Sequence, residues 1–220
     1  KFWYDYALPS QIKKYHIDFL FSPDGFLSLR TNIRQIGVIH DLNFEHYPND
    51  VPKGVLKYYQ KHMPLFAKKA SDVVTVSKFS KKDICDKYDI PSDKVHVIYN
   101  GGNNIFRPFS KEERLEFIKT NNNNRPYFIY VGSLHKRKNI ERMLKAFQSF
   151  NEKEKKKDFV IIGQPMWQDQ LNLDGLLENV HFKGRKSGKD LSEWVASSAA
   201  LVYVSYFEGF GLPVLEGMMA

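Results

Sequence analysis

The feature that most constrains this chain is an alternation: short β-branched and aromatic runs are separated by amphipathic stretches, and a small or polar residue follows nearly every run. Runs at Ile17 to Phe21, Gln35 to Ile39, Val73 to Val76 and Val95 to Ile98 predict strands. Helices are expected between them, at Lys53 to Lys69 and at Ser80 to Tyr88, with Ser77 or Ser80 as N-cap of the latter. Farther along, Tyr127 to Val131, Phe159 to Ile162, Val180 to Phe182 and Ala200 to Val204 predict strands; Asn139 to Phe150, a stretch near Gln168 to Leu177, and Asp190 to Ser197 predict helices. Repeated βα units of this kind close around parallel sheets, so the fold class is α/β. Asn100 to Pro108, a charged helix from Ser110 and the polar run Asn121 to Asn124 break the rhythm between the two series. The expectation is two Rossmann-like domains, 1–108 and 109–220, facing each other across a cleft. Both are expected to be incomplete, since the chain opens at Lys1 without a methionine and closes eight residues into a helix expected from Pro213.

Composition narrows the classes. A chain of 220 residues that is 42% hydrophobic can bury a core. No apolar stretch approaches the roughly 20 residues of a membrane helix, and no charged-then-apolar leader opens the chain, which predicts a soluble protein. Cys85 is the single cysteine, which excludes an internal disulfide and a zinc cluster and fits a reducing cytoplasm. No Asp-x-Asp pair occurs and the histidines lack ligand spacing, so no metal site is expected. The formal charge of +8 implies attraction to polyanions: nucleic acid, anionic lipid or phosphate-bearing substrates.

The small residues after the strands matter most. His40-Asp41, Ser77, Asn100-Gly101, Gly132-Ser133, Gly163, Gly184 and Ser205 all follow expected strands, and open parallel sheets bind ligands beyond the carboxyl ends of their strands. In the tail, Phe207-Glu208-Gly209-Phe210-Gly211-Leu212-Pro213-Val214-Leu215-Glu216-Gly217 sets two glutamates eight apart around a glycine turn. Pro213 suits the first turn of a helix, placing Glu208 on the preceding loop and Glu216 early in the helix. The helix supplies free N–H groups and about half a positive charge for an anion. Ionised carboxylates only accept hydrogen bonds, so Glu208 and Glu216 suit sugar or ribose hydroxyls rather than phosphate. Cations come from Lys136, Arg137 and Lys138, between the strand ending at Gly132 and the helix from Asn139. Gly184 to Asp190 is rejected as a phosphate-binding loop, because its glycines are four apart and no Ser or Thr follows its lysine.

Glu208 to Glu216, together with Gly132-Ser133-Leu134-His135-Lys136-Arg137-Lys138-Asn139, resembles the donor-site signature of group-1 (family 4) retaining glycosyltransferases of GT-B architecture. Ile39-His40-Asp41, Val74 to Ser80 and Val97 to Gly101 resemble further elements of that family in the same order, so the similarity spans nearly the whole chain. The resemblance implies transfer of a sugar from a nucleoside diphosphate to a saccharide or lipid-linked acceptor in cell-surface polysaccharide synthesis, with no cofactor beyond the donor substrate and no metal. It implies that Glu208 contacts the transferred sugar, Glu216 the ribose, Lys138 the diphosphate, the amides of Gly209, Phe210, Gly211 and Leu212 the phosphate or sugar, and His40 the donor sugar. Gly132, Ser133 and Arg137 belong to the same donor site, and Arg185 is placed to meet the base. Two departures stand out: Ser133 occupies a position where many members carry arginine, so that contact is missing or comes from Arg137, and the family's Gly-rich loop early in the first domain is absent.

Alternatives from other classes are a non-catalytic nucleotide-sugar-binding relative and a basic nucleic-acid-binding module; the aromatic residues lie mostly in expected strands and helices, which disfavours the latter. Peripheral contact with the inner membrane face would use Lys57, Lys61, Lys68 and Lys69 beside Tyr58, Tyr59, Met63 and Phe66, unless that helix packs its apolar side on the sheet.

Overall fold

A computed structural model describes residues 3–154, 157–165, 173, 175 and 178–220. Strands β1 (Phe19–Ser22), β2 (Arg34–Val38), β3 (Asp72–Thr75) and β4 (Val95–Val97) form one sheet in that order. Strands β5 (Tyr127–Val131), β6 (Asp158–Ile162), β7 (Val180–Phe182) and β8 (Ala200–Leu201) form a second, ordered β7-β6-β5-β8. Every pairing among these strands is parallel, as the βα alternation predicts. The chain divides into two compact units, Lys1–Asn100 with Glu208–Phe210, and Gly101–Phe207 with Gly211–Ala220.

In the first unit, helices α1 (Leu8–Lys14), α2 (Asn43–His46), α3 (Lys53–Lys69) and α4 (Lys78–Tyr88) accompany the sheet. Ser77 caps α4, its side chain accepting from the Ser80 amide at 3.0 Å, so of the two serines it is the earlier that begins the helix. The apolar side of α3 is turned inward: Met63, Phe66 and Ala67 pack with Leu27, Ile39, Leu42, Val73 and Ile84. Burying these side chains stabilises the fold by roughly 1.5–3 kcal/mol for each large one, and Met63 and Phe66 are thereby taken up by the core.

In the second unit, α5 (Lys111–Asn121), α6 (Ile140–Glu154), α7 (Gly188–Ala196) and α8 (Leu212–Met219) surround the sheet. Period-two alternation along β5 and β6 sends Tyr127, Ile129, Val131, Val160 and Ile162 to one face, against Ile118, Trp194 and Val195. Tyr130, Phe159 and Ile161 go to the other, against Ile140, Leu144 and Phe147 of α6. All five residues of β6 are buried, which explains its unbroken hydrophobic reading after Asp158. Ser110 and Glu113 form a reciprocal capping box that starts α5.

The differences from the sequence expectations are local. The helix expected from Asn139 begins at Ile140, because Asn139 is left-handed (φ 60°) and closes a 3₁₀ turn over Lys136–Lys138. The strand expected over Ala200 to Val204 is confined to Ala200–Leu201, paired with β5, and the Val202 amide adds one more bond to the Ile129 carbonyl at 2.8 Å. The helix expected near Gln168 to Leu177 falls largely outside the described residues.

Strand order positions the site. From β5 the chain steps outward through β6 to β7, then returns to the opposite side of β5 as β8. Reversal of direction in an open parallel sheet leaves a crevice beyond the two strands concerned. Here these are β5 and β8, the strands that lead into Gly132–Lys138 and Ser205–Gly211.

Candidate functional site

Beyond the ends of β5, β6 and β7 the backbone continues to pair: the Gly132 amide donates to the Ile162 carbonyl at 3.0 Å and the Gly163 amide to the Gly184 carbonyl at 2.9 Å. Three glycines thus end adjacent strands and leave a shelf without side chains. At Gly163 (φ 156°) no other residue fits, because a Cβ there would run into the Gly132 carbonyl. Above the shelf lies a cleft of about 400 Å³ lined by Gly132, Ser133, Gly163, Gln164, Arg185 and Lys186. Arg185 is exposed at its rim, while Lys186 is half-buried and held by Asp190 at 2.9 Å.

The segment after β5 and the segment after β8 are laced together. Tyr206 donates its amide to the Arg137 carbonyl at 3.0 Å, and Arg137 returns a guanidinium bond to the Phe207 carbonyl at 3.0 Å. Asn139 donates to the Val204 carbonyl at 3.2 Å. Arg137 therefore braces the loop that leads to Glu208. Lys138 is 6% exposed and its Nζ donates to the Tyr203 hydroxyl at 2.7 Å. His135, also buried, accepts the Arg137 amide on Nδ1 at 3.3 Å.

The tail then turns through Glu208–Phe210, where Glu208 and Phe210 are half-buried and Gly209 is buried. Gly211 caps α8 in a left-handed conformation (φ 90°) that suits glycine, and Pro213 occupies the first turn, as its sequence position predicts. Glu216 lies half-buried on α8, and burial alone pushes its carboxyl above the ordinary carboxylate range. An acceptor-only group kept partly from water gains by receiving hydroxyl donors.

In the first unit, His40 stands beside a separate recess of about 290 Å³, near Asp24, Phe26, Asp41, Phe44 and Tyr59. Its Nε2 lies 3.1 Å from the Pro23 carbonyl. A carbonyl can only accept, so Nε2 carries the proton in this contact and Nδ1 is left facing away from it. Asp41 accepts the Asn43 amide at 3.0 Å and so orders the turn after β2.

In the second unit Gly132, Ser133 and Arg185 line one cleft, Arg137 and Lys138 bond the segment after β8, and Leu212 and Glu216 lie on the helix that follows; His40 belongs to the first unit, together with Glu208, Gly209 and Phe210. Sequence reasoning did not single out Tyr130, Tyr203 or Lys186. The tyrosines sit in hydrophobic runs that read as core, and nothing in their spacing marks a polar task.

Comparison with known proteins bears on the family and the fold. A family model described as "Glycosyl transferases group 1" matches residues 111–220, and one described as "Glycosyltransferase Family 4" matches residues 1–103. The chain is 28% identical over 208 residues to O-antigen chain mannosyltransferase B of Escherichia coli, covering 91% of this chain and 55% of that protein. It is 33% identical over 156 residues to an uncharacterized glycosyltransferase of Methanocaldococcus jannaschii, covering 67% of this chain and 40% of that one. The chain spans about half the length of the curated relatives it matches. Among solved structures, Anabaena HepE in complex with UDP and glucose superposes with a TM-score of 0.75 at 16% identity, over 97% of this chain and 60% of that one. WaaG, a glycosyltransferase involved in lipopolysaccharide biosynthesis, superposes with a TM-score of 0.74 at 17% identity, over the same shares. Family models that between them take in nearly the whole chain, and relatives in the same class, place the chain among the group 1, family 4 glycosyltransferases.

Proposed function

We propose that this chain carries the donor site of a retaining glycosyltransferase, which moves a sugar from a nucleoside diphosphate to a saccharide or lipid-linked acceptor in cell-surface polysaccharide synthesis. The observation that carries this proposal is the glycine shelf that ends β5, β6 and β7, with the buried Lys138 on the segment that follows β5 and the half-buried Glu216 on the helix that follows β8. A flat, side-chain-free shelf admits a phosphate against backbone, and a nearby ammonium balances its charge. Lys138 binds the diphosphate, Glu216 accepts from ribose hydroxyls, and Glu208 accepts from the transferred sugar. The amides of Gly209 to Leu212 add donors to phosphate or sugar, and His40 accepts from or donates to the donor sugar. Arg185 meets the base.

Catalysis in this reading is electrostatic. As the glycosidic bond to the diphosphate breaks, negative charge grows on the leaving oxygen, and prepositioned cationic and N–H donors stabilise that charge more than they stabilise the ground state. The departing phosphate takes the acceptor's proton on the same face, which retains configuration and needs no protein nucleophile. Relatives named as mannosyltransferases support mannose as the sugar transferred.

Calorimetric titration of the full chain with UDP, GDP, ADP, dTDP and CMP, beside Glu216→Ala, tests the proposal. The expected result is selective binding of one nucleoside diphosphate, weakened by the substitution by about 1.5–3 kcal/mol, the range for a hydrogen bond to a charged group. Binding of a nucleotide that ignores Glu216→Ala in a folded variant would remove the site assignment.

A further inference from the structure

Two tyrosines stand behind the donor site, one on each strand of the switch point. Tyr130 is near the end of β5 and fully buried; Tyr203 lies two residues past β8, where Val202 still donates its amide to the Ile129 carbonyl at 2.8 Å and keeps the chain beside β5. Their rings stack with centroids 6.1 Å apart and planes 16° from parallel. Each hydroxyl then reaches a different part of the proposed diphosphate apparatus. Tyr130 donates to the Ser133 carbonyl at 2.8 Å, within the turn that carries the shelf. Tyr203 accepts from Lys138 Nζ at 2.7 Å.

A lysine ammonium on a four-carbon stem has many rotamers, and fixing it on a phosphate costs entropy that a bound partner can meet in advance. Aromatic rings hold only two side-chain torsions, and stacked rings hold each other. We infer that Tyr203 is a positioning residue of the donor site: its hydroxyl, backed by the stacked Tyr130 ring, holds the Lys138 ammonium in place for the diphosphate before the donor arrives. The inference rests on the assignment of Lys138 to the diphosphate, and deepens it. A neutral phenol is a fitting holder, because it accepts from the ammonium without cancelling its charge, and a carboxylate in the same place would repel the incoming phosphate.

Tyr203→Phe keeps the ring and the stack and removes only the hydroxyl. Titrations of the full chain with the nucleoside diphosphate that binds, and with the unphosphorylated nucleoside, are compared for wild type, Tyr203→Phe, Lys138→Gln and the double variant, with thermal melting as the check of folding. Lys138→Gln is expected to weaken the diphosphate roughly 10- to 100-fold and Tyr203→Phe roughly 3- to 10-fold, with nucleoside affinity unchanged in both. The double variant should bind no more weakly than Lys138→Gln alone, because the hydroxyl acts only through the lysine. A purely structural tyrosine would weaken diphosphate and nucleoside alike and would add to Lys138→Gln. If Tyr203→Phe does not fold, Lys138→Arg, which keeps the charge and moves it off the hydroxyl, carries the same expectation. Wild-type affinity in Tyr203→Phe, or in Lys138→Arg, while Lys138→Gln is weakened, overturns the tyrosine's role. Indifference to Lys138→Gln overturns the lysine assignment, and the inference with it.

Discussion

At the amino ends of their strands the two sheets carry the same trio in the same register. In the first sheet, Asp72 opens β3, Arg34 donates to it at 3.0 Å from the start of β2, and His96 of β4 meets it at 3.1 Å. In the second, Asp158 opens β6, Arg125 lies 2.8 Å away just before β5, and His181 of β7 meets it at 3.0 Å. The register agrees too: each aspartate pairs with the residue two after its arginine, Ile36 with Asp72 and Tyr127 with Asp158. What differs is water. The Asp72 side chain is 26% exposed and that of Asp158 is 5% exposed, with the buried Asn122 amide donating to it at 3.1 Å. The first carboxyl group is reached by water; the second is buried, although its partners Arg125 and His181 remain 41% and 42% exposed. Each stands at the amino end of its own sheet, and in the second sheet that is the end away from Gly132, Gly163 and Gly184, so the Asp158 trio is assigned to stability and the carboxyl end to binding.

The largest expected effect follows from the trio around the buried Asp158. Asp158→Ala takes from the buried Asn122 amide one of its two acceptors, the other being the Arg125 carbonyl, and removes the carboxylate that Arg125 and His181 face; it should lower unfolding free energy by about 2–4 kcal/mol in urea titration, with donor affinity of the folded fraction unchanged. A loss of affinity in the folded variant would break the division between the two ends. Next, Glu208→Ala is expected to weaken donor binding by about 1.5–3 kcal/mol with little change in melting, the reverse pattern. Smaller is Ser110→Ala, which removes the cap of α5 and should cost about 0.5–2 kcal/mol by chemical denaturation, with binding intact. Asp72→Ala should shift melting least, well below Asp158→Ala, because water already solvates its trio. Equal shifts for the two aspartates would contradict the burial argument.

Glu216 adds a sign rather than a size. Its folded-state carboxyl ionises above the ordinary range through burial, so the ionised form is disfavoured by folding and its contribution to stability declines as pH rises through the unfolded value. Glu216→Gln should therefore melt no lower than wild type at neutral pH while binding donor more weakly. A side chain retained against stability is what a ligand contact predicts; a variant that melts lower and binds equally would make Glu216 structural.

Much of this was legible in the chain. Strand β5 occupies the residues its apolar run predicts, and Pro213 opens α8 where its ring suits the first turn. Glycine and proline report backbone needs, which are local and hence visible. Lys138 was readable as one of three cations, but its burial among them was not, because that depends on Asn139 turning left-handed and sending the chain into α6. The trios and the Tyr130–Tyr203 stack were hidden for the same reason: each joins residues tens of positions apart, and only strand order brings them together.

The most direct test of the donor site is amide hydrogen exchange of the full chain with and without the nucleoside diphosphate it binds. Protection on binding should concentrate at residues 132–138 and 205–216, beyond β5 and β8, and leave the amino ends of the strands around Asp72 and Asp158 unchanged. Protection confined to other segments, with those two unaffected, would contradict the placement of the donor at the switch point.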